Sequence, residues 1–212
     1  MADLTDIIPY VRPYVPDAGF DLIKQQIRAS ASEMARFTRA WQVDLPYRRV
    51  VEDVKKYTLE SPLDGADILS IYEAKYKDDP TNARPNDPGV ILKRDVDYRM
   101  IDRTTFEFIH NPTKSVSRAL RIRVILVPCR DSDIFDEDLI EKHYETLAFG
   151  ARSKLCLMPK KPFTNIGLGQ DYENKFWDGL RNIAAEVTKR YTEENTVVQF
   201  YGENATTNYF FV

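Results

Sequence analysis

Between Asp17 and Pro46 the apolar residues fall at Phe20, Ile23, Ile27, Ala31, Met34, Phe37 or Thr38, and Trp41, in steps of three and four. Steps of that size gather side chains on one stripe of an α-helix. A stripe so long obliges the chain to build a second layer that covers it. Asp17 offers an N-cap and Pro46 a stop, so the spacing predicts a helix over 17–42.

The period then changes. Over 49–128 short runs rich in β-branched and aromatic residues alternate with turn clusters such as Ser61-Pro62-Leu63-Asp64-Gly65 and Asp78-Asp79-Pro80. Strands are predicted over 50–59, 68–76, 90–94 with a continuation towards 100, 104–110 and 120–127. In the last, Leu120, Ile122, Val124 and Leu126 share one face and Arg121 and Arg123 the other, the pattern of a strand with one buried side. Pro80, Pro85 and Pro88 mark 78–89 as a long exposed loop.

From Asp136 the helical period returns. Leu139, Ile140, His143, Tyr144, Leu147, Ala151, Leu155 and Met158 predict a helix over 136–158, ended by Pro159. Tyr172, Phe176, Leu180, Ile183, Val187 and Tyr191 predict another over 168–194. Residues 17–195 are thus expected to form one α+β core, with about three long amphipathic helices packed on a small antiparallel sheet or sandwich.

Both ends look different. Pro9, Pro13 and Pro16 among Tyr10, Val11, Tyr14 and Val15 predict an extended, sticky N-terminal arm over 1–16, because proline at that density disfavours helix. Residues 196–212 read as a β-prone C-terminal arm ending in Tyr209, Phe210, Phe211 and Val212. Aromatic side chains at a chain end seek cover on the sheet or on a neighbouring subunit.

The chain has 212 residues, enough to bury a core without staples, and 30 basic against 33 acidic residues give a net charge of −3. That sign argues against general binding of nucleic acid or of an anionic membrane. Two distant cysteines, Cys129 and Cys156, indicate neither a zinc site nor a disulfide framework and suit a reducing compartment. No run approaches the length of a signal peptide core or a membrane span.

Catalytic chemistry has few candidates. The two histidines, His110 and His143, lack evident partners and read as structural. Asp131, Asp133, Asp136, Glu137 and Asp138 form the densest carboxylate cluster. They suit the first turn of a helix through its dipole, while a metal-dependent hydrolase using Asp131, Asp133 and Asp136 is the alternative from another class. Gly167-Leu168-Gly169 lacks the remaining elements of a phosphate loop. Lys114, Arg118, Arg121 and Arg123 make a basic patch suited to subunit contacts, and Trp41 and Trp177 read as core or interface anchors. Neither an active site nor a cofactor is expected, and the chain is read as a non-enzyme.

Two segments carry a resemblance. One is Glu33-Met34-Ala35-Arg36-Phe37-Thr38-Arg39-Ala40-Trp41-Gln42, the end of a helix leading into a strand region. The other is Leu157-Met158-Pro159-Lys160-Lys161-Pro162-Phe163, passing through Gln170 and Tyr172 into Phe176-Trp177-Asp178-Gly179-Leu180. In these segments and in its order of parts the chain resembles the head–tail adaptor, or neck connector, proteins of tailed bacteriophages. The resemblance implies a structural virion protein of the neck, assembled in the host cytoplasm as a dodecameric ring. Such a ring docks on the portal protein, connects it to tail or nozzle proteins, and lets genomic DNA pass through its lumen without specific binding. A net charge of −3 per subunit is compatible with a lumen that repels phosphate. Within this expectation Tyr10, Val11, Tyr14, Val15, Tyr209, Phe210, Phe211 and Val212 are the candidate subunit or portal contacts. A tail completion or terminator protein is the nearest alternative, and a small regulatory binding module of the host cytosol a more distant one.

Overall fold

The computed structural model describes residues 2–77 and 89–195. Its first residues wind into strand β1 (Ala2–Asp3), a 3₁₀ turn at Leu4–Ile7, the short helix α1 (Ile8–Val11) and a second 3₁₀ turn at Arg12–Tyr14. The expected extended N-terminal arm is therefore corrected. Pro9 and Pro13 each stand in the first turn of their helical element, where a missing N–H sacrifices no intrahelical bond. Leu4, Ile7, Ile8, Val11 and Val15, spaced by three and four, turn inward and are buried.

Helix α2 (Phe20–Thr38) follows the predicted stripe but is shorter than 17–42. It begins after the extended Gly19 rather than at Asp17. It stops at Arg39, a left-handed C-cap with φ 55° whose N–H reaches the Ala35 carbonyl. Ile23, Ile27, Ala31 and Met34 are fully buried along the stripe, whereas Phe20 and Phe37 stay exposed. Trp41 lies past the helix and enters the core edge-on to Phe135, ring centroids 4.9 Å apart.

Strands β2 (Gln42–Asp44), β3 (Arg48–Val50), β4 (Lys56–Thr58), β5 (Ala66–Tyr76), β6 (Val90–Ile91), β7 (Tyr98–Met100), β8 (Thr105–Phe108), β9 (Val116–Pro128) and β10 (Ile134–Phe135) come next. Helices α3 (Glu137–Cys156) and α4 (Ile166–Asn195) complete the order. Every pairing between these strands is antiparallel. The largest sheet runs β2-β9-β5-β6 with β3 also on β9, a second runs β4-β8-β7, and β1 pairs with β10.

The molecule is α+β, but about three long helices on a small sheet or sandwich is corrected. Among the described residues there are four helices and three antiparallel sheets, one curled into a half-barrel. The curl has a local cause: β5 slips its register against β9 between Ile68 and Ser70 and again between Ile71 and Glu73. Each such bulge bends its strand and increases the twist. The predicted 50–59 strand divides into β3 and β4 around Asp53, which takes φ 59°. The one-sided alternation holds from Leu120 to Val124; from Val124 to Pro128 every residue of β9 is buried, with α2 packed on the strand.

The helices pack beside the sheet as one layer, α3 between α2 and α4. All three come together at Gly150, where an added Cβ would lie 2.8 Å from both Phe176 Cε2 and Ser30 Oγ. Only a residue without a side chain lets the three helices meet there. The predicted C-terminal arm over 196–212 and most of the 78–89 loop lie outside the described residues. No helix among the described residues is long and apolar enough to cross a membrane.

Candidate interaction surface

Helical winding of the N-terminal segment divides its candidate contact residues in two. Val11 and Val15 are fully buried in the chain's own core, while Tyr10 and Tyr14, one turn apart on the other side, are 46% and 52% exposed. The two tyrosines are therefore surface residues and the two valines packing residues. Tyr209, Phe210, Phe211 and Val212 lie outside the described residues.

The tyrosines cover a charged residue. Arg152 rises from α3 beneath them and is only 8% exposed. Its Nε donates to the Tyr10 carbonyl at 3.0 Å, and its Nη2 donates to the same oxygen. The guanidinium lies 3.7 Å from the centroid of the Tyr14 ring and 5.3 and 5.5 Å from those of Phe149 and Tyr172. Contacts of a cation with ring faces offset part of its desolvation.

The rings also hold one another. Tyr10 packs on Tyr144 with centroids 4.6 Å apart, Tyr14 meets Tyr172 edge-on at 6.2 Å, and Phe149 stacks on Tyr172 at 5.9 Å. At the rim the Lys175 ammonium stands 5.3 Å from the Phe149 centroid. Together these side chains and Glu145 line a cleft of about 410 Å³. Burial raises the Tyr172 phenol above its ordinary 10.0, and the neighbouring Glu145 carboxylate raises that of Tyr144. Both rings therefore present neutral hydroxyls at physiological pH.

The carboxylates singled out for metal chemistry point to separate tasks. Asp133 binds Lys24 at 2.6 Å and Arg28 at 2.7 Å, tying the β10 turn to α2. Asp136 caps α3 by accepting from Leu139 N at 3.0 Å, and Asp131 is exposed. Among the described residues no group of three His, Cys, Asp or Glu side chains could hold a metal ion. His143 interrupts α3 with non-helical angles, φ −129° and ψ 21°, and His110 is exposed.

The remaining motifs also resolve into structural contacts. Gly167 sits inside the first turn of α4, where Asn165 Oδ1 accepts from Leu168 N at 3.1 Å. From the basic patch, Arg121 and Arg123 grip Asp44 across β2 at 2.7 and 3.0 Å. Burial pushes the Asp44 carboxyl up, and the hydrogen bonds from both arginines outweigh it, leaving the group below its ordinary value. Arg118 lies over the Tyr47 ring at 5.3 Å. Trp41 is a core residue, whereas Trp177 is half-buried under Phe37, with centroids 5.3 Å apart.

Sequence reasoning missed Arg152 and its cleft. A signal existed: Arg152 interrupts the small and apolar run Ala148-Phe149-Gly150-Ala151 on the buried side of its helix. A charge inside such a run marks either a paired or a ring-caged side chain. No protein-family model matches the chain, and no curated protein matches it either.

Proposed function

We propose that the chain is a structural subunit of a head–tail adaptor ring of a tailed bacteriophage, docked beneath the portal and leading to the tail. One observation carries the reading: large apolar side chains remain exposed on two separate parts of the fold. Tyr10, Tyr14, Phe20 and Phe37 stand out on the helical elements, and Val90, Ile91, Val96 and Ile101 on the strands and turns around β6 and β7. A subunit in a ring offers a different surface to each neighbour, and two unlike sticky regions suit such a head-to-tail contact. The two resembling segments support the phage assignment. The first forms the end of α2 with the buried Trp41, and the second the turn between α3 and α4.

The contact surface in this reading is the tyrosine face over Arg152. In this reading the subunit is an assembly part, with Asp136 serving as a helix cap and Asp133 as a tie between the β10 turn and α2.

Negative-stain microscopy of the purified chain mixed with purified portal tests this directly. Rings stacked on the portal are expected. A chain that ignores the portal and binds tail tubes instead would be a tail completion or terminator protein, and one that binds neither would overturn the virion assignment altogether.

A further inference from the structure

The cleft under Tyr10 and Tyr14 contains an imbalance of charge. Arg152 is more than nine-tenths buried, yet no carboxylate among the described residues pairs with it. Its partners are neutral: the Tyr10 carbonyl accepts from it, and the rings of Tyr14, Phe149 and Tyr172 surround it. A buried cation with only neutral partners leaves much of its lost hydration uncompensated. At the mouth, Lys175 is a second cation resting on an aromatic ring, and Glu145 is the one acid at the cleft. A chain of net charge −3 therefore has a locally positive, aromatic-walled cleft.

From this geometry we infer that the cleft takes a carboxylate side chain from an acidic segment of a partner protein, flanked there by apolar or aromatic residues. The inference rests on the assembly reading above and names the chemistry of the partner. With Nε and one Nη2 hydrogen given to the Tyr10 carbonyl, the guanidinium keeps its Nη1 and second Nη2 hydrogens for a carboxylate, which can accept from both, and Lys175 adds a second charge from the rim. Ring walls suit the apolar neighbours of that carboxylate. A volume of about 410 Å³ admits a few side chains and excludes a nucleic-acid duplex, so a peptide fits where a DNA backbone does not.

The test uses the full chain in solution and three probes: a short peptide with a central aspartate between two phenylalanines, the same peptide with asparagine, and inorganic phosphate. Calorimetric titration should show the aspartate peptide binding about tenfold or more tighter than its asparagine twin. Lys175→Glu, at an exposed position and with its fold checked by circular dichroism, should weaken the aspartate peptide by about tenfold and leave the asparagine peptide unchanged. Arg152→Lys should weaken it as well, and Lys175→Glu keeps the inference testable if that variant loosens the N-terminal turns. Equal binding of the two peptides, or indifference to Lys175→Glu, overturns the inference. Displacement of the peptide by phosphate at similar concentration overturns it too, in favour of a phosphate site. The assay needs no ring: peptide binding without portal docking refutes the adaptor reading alone, and portal rings without peptide binding refute the cleft alone.

Discussion

Asp133 is the residue whose chemistry most exceeds its place in a surface turn. Arg28 and Lys24 both hold its carboxylate, and the hydrogen bond from Arg28 is the chief reason its carboxyl lies below the ordinary 3.8, against an opposing effect of burial. A carboxyl lowered by folding stabilises the native state above the unfolded value and loses that contribution as pH falls through the folded one. Asp133→Asn should therefore cost about 1 kcal/mol at neutral pH. That difference from the parent protein should shrink as pH falls below 3.8 and on through the lowered folded value, as the aspartate takes up its proton. Urea denaturation of both proteins from neutral to acid pH measures it; a constant gap at every pH would show that the charge is irrelevant. Single residues were unevenly legible in the sequence. Asp136 reads as a cap from its position ahead of an apolar period, and it is one. Val11 and Val15 read as contact residues because their neighbours are prolines and tyrosines, although their spacing with Leu4, Ile7 and Ile8 already describes a buried helical side.

At the scale of elements the three long helices were visible because their apolar period runs over five or more turns, enough to outweigh any single residue. Their ends were less visible, since a left-handed Arg39 in place of glycine gives no sequence sign of a stop. The strands were harder still. Elements of two to four residues such as β6, β7 and β8 exist through their pairing, and the bulges that curl β5 around β9 leave no periodic trace. A narrow point of the helical layer is Gly150, pressed between Phe176 and Ser30. Gly150→Ala should gain about 1 kcal/mol of helix propensity but lose more to overpacking, for a net destabilisation of about 1–2 kcal/mol. Adding Phe176→Leu should return part of the loss, a coupling that a double-mutant cycle by chemical denaturation reads directly. A neutral or stabilised Gly150→Ala protein would mean that the helices are not spaced by this contact.

The whole molecule is organised around β9. It pairs with β2 and β3 along one edge and β5 along the other, and α2 packs on it, so β9 joins the half-barrel to the helical layer. Hydrogen exchange should accordingly be slowest for the β9 amides between Leu120 and Val127 and fastest in β6, where pairing is short and Val90 and Ile91 face water. Protection in β6 equal to that in β9 would show that the sheet opens only as a unit. The sequence disclosed this scale only in part: the change from helical to alternating period and back set the class of fold, while the number of sheets depended on pairings made over long separations. The tie between Arg152 and the Tyr10 carbonyl spans 142 positions. Ribosomes add roughly 5–20 residues per second. The opening turns therefore emerge several seconds or more before the arginine that fastens them is synthesised. During that interval Leu4, Ile7 and Val11 have α2, the next helix to emerge, as their cover, and the turns stay held by that helix alone until β10 and α3 follow.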